Sequence, residues 1–527
     1  MKRYNNRWHA AWVVLVAGIL TGCAVGPEYR QPSPPEVSAY LPASGDPKET
    51  SSTGAGDFQQ FQRHGSVDRT WWRSFHSQSL NELVDRGLQS NPGLQELEAR
   101  LRQSEEILAA RKGTTDYPTI TGETGASHQR IQPESFGQSG KAREFSVFHL
   151  GVNVTYDFDF TGGNRKALEA LAAKSEYERF RLEGARLTLA ADIVSTAIFQ
   201  AGFRGQMETL ETILDLQQEQ LYLIRERVRL GQISPDAIPA LETQLEQTRA
   251  RVPMLRSRLQ QSGHLLTVLV GREPGAEIPP IFHLDDFVLP PELPLLVPSE
   301  LVRSRPDILG AEELLHAANA EYGAAVSKLY PQVNLSANLG SQALTAGALF
   351  GTGSAIWSLV GQLTQPLFNP GLAAEKRAAL AAFDAAAAHY RFVVLESLRN
   401  VADVLRAMEN DTQRFRSLSI ADTASENSLA FTEKRYALGA ASYFDLIEAR
   451  QQRWQTQLDL MEGRMNRLMN TVAFFQAMGG GKDLRDDQVN GLSLTVGEKQ
   501  SCLNSADSAN PDFVNETPHA PMFKPAT

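Results

Sequence analysis

The chain has little that catalysis needs. Its ten histidines are scattered, with no HExxH motif and no close pair, and its two cysteines, Cys23 and Cys502, lack metal-ligand spacing. Gly351-Thr352-Gly353 is followed by no Gly-Lys-Ser/Thr, so it is not a phosphate loop. The methionines form no copper-binding run. No enzyme, no metal site and no cofactor is therefore expected. A net charge of −10 speaks against nucleic acid as a partner. After Leu20 no apolar run is long enough for a membrane helix, so any bilayer crossing is expected to use strands.

What is present begins at the N-terminus. Lys2, Arg3 and Arg7 precede an apolar stretch, Ala10 to Leu20, which is too short for a stable anchor of roughly 20 residues. It has the pattern of an export signal. The ending Leu20-Thr21-Gly22-Cys23 resembles a bacterial lipobox, which implies cleavage after residue 22 and a covalent lipid (palmitate-type acyl chains) on Cys23. The alternative is an ordinary signal peptide with a cysteine nearby. Ala24 stands where an Asp would resemble an inner-membrane retention signal, which favours the outer membrane. With Cys23 lipidated, Cys502 has no intramolecular disulfide partner.

The remainder reads as two copies of one unit. Gly163 and Gly371, Gly231 and Gly439, and Gly271 and Gly479 are each 208 residues apart. Asn91-Pro92 matches Arg305-Pro306, and Tyr117-Pro118 matches Tyr330-Pro331, in the same order. Each unit has a helix (Leu94 to Lys112, Ile308 to Lys328), two strands around a Gly/Ser-rich loop, and two long helices. The long helices are expected at Arg165–Leu230 and Pro239–Val270, then Ala373–Leu438 and Tyr443–Met478. The first and third of these, 66 residues each, would run about 100 Å and call for coiled-coil packing. Leu210, Leu214, Gln217, Leu221, Ile224 and Val228 step by four and three. So do Leu241, Leu245, Thr248, Val252, Leu255, Leu259 and Ser262, with Pro253 expected to kink that seam.

The strands alternate. Phe148, Leu150, Val152, Val154, Tyr156 and Phe158 share one face and polar residues the other; Val333, Leu335, Ala337 and Leu339 repeat the pattern. In the last strand Trp357, Leu359 and Leu363 share a face that Val360 blurs, and Thr119 to His128 is a weaker first strand. A soluble sandwich gives the same alternation, but few strands interrupting very long helices favour a barrel wall facing lipid. Four strands cannot close a barrel, and open edges cannot sit in hydrocarbon, so the wall must be shared between copies.

Cys23-Ala24-Val25-Gly26-Pro27-Glu28-Tyr29-Arg30-Gln31-Pro32 resembles the mature start of TolC-like outer-membrane factors of the lipoprotein (NodT/OprM) branch. Arg305-Pro306-Asp307-Ile308, Leu329-Tyr330-Pro331, Gln365-Pro366-Leu367-Phe368 and Arg435-Tyr436-x-x-Gly439-x-x-Ser442 are similar to that family's motifs. The resemblance spans roughly residues 23 to 480. It implies an α+β membrane protein: a homotrimer with a twelve-stranded transmembrane β-barrel continuous with a periplasmic coiled-coil barrel of twelve long helices. It also implies the passive exit duct of a tripartite efflux pump for small molecules. The partners would be a periplasmic adaptor (membrane fusion) protein and an inner-membrane transporter, of RND type in this branch. The resulting division is a signal peptide (1–22), a lipidated N-terminus and extended tether (23–70), two structural repeats (71–285 and 286–480) and a partly disordered tail (481–527). Trp71-Trp72 is expected in a core.

Two turns join the long helices. Arg227, Gly231 and Ser234 mark the first; Arg435, Gly439 and Ser442 mark the second. In each, Gly suits the end of one helix and Ser can cap the next. The resemblance implies that these tips contact the adaptor. It also implies a pore gate at Asp445 and Glu448, whose three copies would give six mutually repelling carboxylates with some pKa values raised. A solvated pair near a helix N-terminus is the plainer reading. Tyr436 matches a gate-bonding tyrosine, whereas Ala237 and Ala441 stand where that family carries an aspartate and, in TolC itself, an arginine. The alternatives are a channel for type I protein secretion, a pore-free coiled-coil scaffold lipoprotein, and an exported hydrolase.

Overall fold

The computed structural model describes residues 26–481, except 34, 36, 38, 42–48, 51–58, 64–66, 138 and 277–279. Cys23, the leader and nearly all of the tail lie outside the described residues. The elements in order are β1 (Glu49–Thr50), β2 (Gln59–Arg63), α1 (Gln78–Ser90), α2 (Pro92–Asp116), β3 (Thr119–Ile131), β4 (Arg143–Phe158), α3 (Gly163–Arg229) and α4 (Ala237–Leu269). They continue with β5 (Glu292–Leu295), α5 (Pro298–Leu301), α6 (Pro306–Ser327), β6 (Gln332–Ala343), β7 (Ala355–Thr364), α7 (Pro370–Ala437) and α8 (Tyr443–Ala477).

The duplication is physical. α3 and α7, of 67 and 68 residues, are each about 100 Å long and fold back on α4 and α8. The short helices start alike, at Pro92 after Asn91 and at Pro306 after Arg305. Each of these preceding residues reaches back to the end of its own unit's hairpin. Asn91 Nδ2 donates to Leu269 O at 2.9 Å, and Arg305 donates to Ala477 O at 2.8 Å. The hairpins end at Gly271 and Gly479, both with positive φ (74° and 83°). A Cβ on Gly271 would lie 2.3 Å from Ser90 O, so this end needs glycine for conformation and for space.

The heptad reading holds along α3 and α4. Leu210, Gln217, Leu221 and Ile224 are buried, as are Leu245, Val252, Leu255 and Ser262, with the other seam residues half-buried. α4 runs through Pro253 as one element, with the proline itself exposed. The largest core lies midway along the helices. There Trp71 stacks on Phe475 at 5.2 Å, among Phe75, Leu80, Ile193, Leu293, Val401 and Phe474.

Two expectations change. Part of the stretch expected as a tether is a strand: β2 pairs in parallel with β5, Phe61 opposite Leu293. Phe61 and Gln59 are buried, Gln59 bonding Pro290 O and Thr471 Oγ1, each at 3.2 Å, because one large apolar side chain here has a core to enter. Secondly, α7 contains an 18-residue window with a mean hydropathy of 1.3, against the expectation that no such run follows Leu20. The helix opens on the alanine-dense stretch 373–388, where many small side chains raise the average. That window is 6% buried in the single chain, an open helix face.

The four remaining strands form one antiparallel sheet in the order β3-β4-β6-β7. The register places Ile120, Val154, Ala337 and Leu359 in one row, and Gly122, Val152, Leu339 and Trp357 in the next. Residues opposite each other point to the same side, so one apolar face crosses all four strands. On β4 it covers the alternate residues from Phe148 to Phe158, about 34 Å along the strand or about 24 Å at a 45° tilt, close to the apolar band of outer-membrane barrels. Above it the same face turns polar, with His128 against Ser146 (3.1 Å) and Arg130 against Glu144 (3.4 Å). The other face carries Thr121, Asn153, Asn338 and Ser358 in one row, and Asn334 donating to Asp157 at 2.6 Å. Val360, which blurred the sequence pattern, lies on this polar side, as does Ile356.

Candidate functional site

The hairpin tips gather most of the site residues expected from the sequence. Gly231 and Gly439 both have φ +72° and close α3 and α7 in the same way. Gly231 N donates to Val228 O (2.9 Å) and Gln232 N to Arg227 O (2.9 Å); Gly439 N donates to Tyr436 O (3.0 Å) and Ala440 N to Arg435 O (2.8 Å). A left-handed glycine at this position satisfies carbonyls the helix leaves open. Leu230 and Leu438, just before the glycines, are 62% and 84% exposed.

The serines differ. Ser442 and Asp445 form a capping box: Ser442 N and Oγ donate to Asp445 Oδ2, each at 2.8 Å, and Asp445 N donates to Ser442 Oγ at 3.1 Å. Ser234 makes no such cap. α4 starts only at Ala237, Asp236 precedes it without a side-chain cap bond, and Pro235 forms a turn of its own, so Ser234 lies too far from the helix.

The capping box determines the electrostatics of Asp445. Hydrogen bonds from the Ser442 backbone and hydroxyl, helped by Arg435, hold its carboxyl below the usual range. Within one chain the shift is therefore opposite to the one expected from crowded acids, because the donors are nearer than any second carboxylate. Glu448, one turn on, is exposed.

Tyr436 has a partner on the other hairpin. Arg227 Nη2 donates to Tyr436 Oη at 2.7 Å, and the Arg227 guanidinium sits 5.5 Å from the centre of the Tyr443 ring. The two tyrosine rings are 5.8 Å apart. Burial pushes the Tyr443 hydroxyl above the ordinary tyrosine range, and it has no hydrogen-bond partner. Arg435, the repeat equivalent of Arg227, instead donates to Ala440 O at 3.1 Å. Arg227 was legible only as a tip residue and Tyr443 not at all; the signal was the doublet of aromatics flanking the second turn.

Among the described residues no group of three or more His, Cys, Asp or Glu side chains could hold a metal ion.

The family model described as outer membrane efflux protein matches residues 83–272 and 297–480. The solvent efflux pump outer membrane protein SrpC of Pseudomonas putida is 26% identical over 468 residues, 88% of this chain and 96% of that one. The cation efflux system protein CusC of Escherichia coli is 25% identical over 474 residues, 88% of this chain and 97% of that one. The solved outer-membrane channel OprN superposes with a TM-score of 0.75 at 25% identity, covering 87% of this chain and 99% of its own. The fold class expected from the sequence, a third of a twelve-stranded barrel continuous with a helical tunnel, is the fold of these channels. The chain belongs to the outer membrane efflux protein family and is the outer-membrane exit duct of an efflux pump, with its strands in the outer membrane and its long helices in the periplasm.

Proposed function

We propose that three copies close one barrel and one helical tunnel, that the tips engage a periplasmic adaptor, and that an RND-type inner-membrane transporter drives small molecules through the passive duct. The observation that carries this is the sheet: a lipid-facing surface across all four strands, with β3 and β7 left as open edges. Unpaired strand edges in hydrocarbon cost several kcal/mol per group, so the edges need partners of the same chemistry.

The duplication suggests which partners. Inside the chain β4 pairs with β6, one repeat to the other. Matching the outward pairs Ile120–Val154 and Val333–Leu363 carries that joint onto β7 and the next copy's β3. Val154 opposite Ala337 then becomes Leu363 opposite Thr124 of the next copy. The helices support the same closure. α6 is wedged between α3 and α7, with Ile308, Leu309, Leu315 and Val326 buried, whereas α2 buries only Leu94. The open face of α7 suits the next copy's α2. SrpC and CusC are almost equally similar to this chain yet are named for solvents and cations, so overall identity does not select a substrate.

In this reading Asp445 serves chiefly as its helix cap, Glu448 supplies the pore-facing charge, and Cys23 carries the lipid. Cysteine cross-linking tests the closure. Leu363→Cys should link between copies to cysteines at 122, 124 or 126, with a maximum at 124, and not to those at 123 or 125. A monomer by native mass spectrometry in detergent, or links without that alternation, would overturn it.

A further inference from the structure

Gly26 to Tyr29 lie in a seat built by α3 and α6. Gly26 has φ +126°, and a Cβ there would come within 2.9 Å of Gly323 Cα. Asn319 Nδ2 donates to Pro27 O at 3.3 Å. The Tyr29 ring stacks on His316, 4.2 Å between centroids and 20° between planes, and its hydroxyl donates to Glu312 at 3.3 Å. His316 is held on both ring nitrogens, with Nδ1 3.4 Å from Glu313 and Nε2 3.0 Å from Glu169. Lys166 Nζ, on α3, donates to Glu169 at 2.7 Å, and its stem lines the space beside Gly323. Glu312 and Lys166 are buried, and His316, Glu169 and Glu313 are half-buried, so the seat is a packed cluster of charged groups.

Its place is informative. Gly323 lies one turn before the end of α6, and β6 begins at Gln332, so the seat is just below the strand wall. Cys23 is three residues from Gly26, a reach of about 10 Å at most. A lipid on Cys23 would therefore enter the leaflet at the periplasmic rim of the barrel.

We propose that residues 26–29 are a clip that fixes the lipid-bearing N-terminus to the barrel rim, closed by the Tyr29–His316 stack and loosened when His316 loses its proton. Its meaning as an anchor rests on the duct reading and on acylation of Cys23; its geometry does not. Two carboxylates facing both ring nitrogens are satisfied together only by imidazolium, which also makes the stack on Tyr29 a cation–π contact. The bond to Glu313 raises the His316 pKa against the opposing effect of burial, and the bond to Glu169 adds to it. Burial works against ionisation of Glu169, but bonds from Lys166 and His316 prevail and lower its pKa. A raised histidine pKa means that the clip is held at acidic pH and weakens as pH rises through the folded-state value.

The test uses full-length acylated protein in nanodiscs, with Cys502→Ser and a spin label on Glu28→Cys, an exposed neighbour of Tyr29. Spectra are taken from pH 5.5 to 9. The mobile-to-immobile ratio should rise about tenfold through a single-proton transition centred above the ordinary histidine value. His316→Arg should stay immobile throughout, while His316→Gln and Gly323→Leu should be mobile throughout. A wild-type spectrum unchanged with pH, or a transition that survives in His316→Gln, would overturn the clip. Bilayer conductance and the mass of the Cys23 peptide, measured on the same preparation, report separately on the duct and on acylation.

Discussion

Arg227 donates to the Tyr436 hydroxyl across 2.7 Å, and this one bond ties the last turn of α3 to the last turn of α7. A hydrogen bond from a charged donor contributes about 1.5–3 kcal/mol. Arg227→Ala and Tyr436→Phe should each raise the open fraction of the isolated duct about tenfold, read as single-channel conductance in planar bilayers. The double substitution should add little to either single one. Additive effects would show that the two side chains act apart.

Tyr443 gives the converse expectation. Its hydroxyl is buried without a partner, so it carries a desolvation cost and returns no bond. Tyr443→Phe should leave thermal stability unchanged or raise it, while Tyr436→Phe lowers it. Differential scanning calorimetry on the two variants makes the comparison, and a destabilised Tyr443→Phe would contradict the assigned environment.

Asp445 and Glu448 should separate in function. Glu448→Gln should weaken cation selectivity and leave the tip folded, seen as a shifted reversal potential in a salt gradient. Asp445→Asn should disrupt the capping box and speed hydrogen exchange in the first turn of α8 about fivefold. Since the Asp445 pKa is lowered, its contribution is complete at neutral pH and is lost only as pH falls through that lowered value. Exchange at the α8 start should thus be insensitive to pH between 6 and 8 after correction for intrinsic rates.

Two glycines of like conformation should respond differently to alanine. Gly231 (φ +72°) has open space around it, so Gly231→Ala should cost about 1 kcal/mol, the penalty of the left-handed backbone. Gly271 (φ +74°) has Ser90 O where a methyl would go, and the main chain there cannot swing aside as a side chain could. Gly271→Ala should cost about 3 kcal/mol or more in urea unfolding.

Much of this fold is legible in the residues because its periodicities are long. The seam from Leu210 to Val228 repeats over several turns, and the alternation from Phe148 to Phe158 fixes a strand face without knowledge of its neighbours. Phe61 was not legible, since a short strand in a polar stretch is set by the core it enters and not by its own pattern. Ser234 misled because a capping residue is defined by where the helix begins, and Pro235 moves that point. The Arg227–Tyr436 bond could not be read at all. It joins residues 209 positions apart that meet only because both hairpins end at the same height.

The bond also breaks the likeness of the two halves. Counting back 208 residues, Arg435 answers to Arg227, but Val228 answers to Tyr436. In the proposed ring of three chains six similar hairpin ends would meet, and this fastening would occur at only three of the six seams between them. An iris assembled this way would dilate with the symmetry of a triangle, its alternate seams parting before the fastened ones and offering a docking partner two distinguishable kinds of notch.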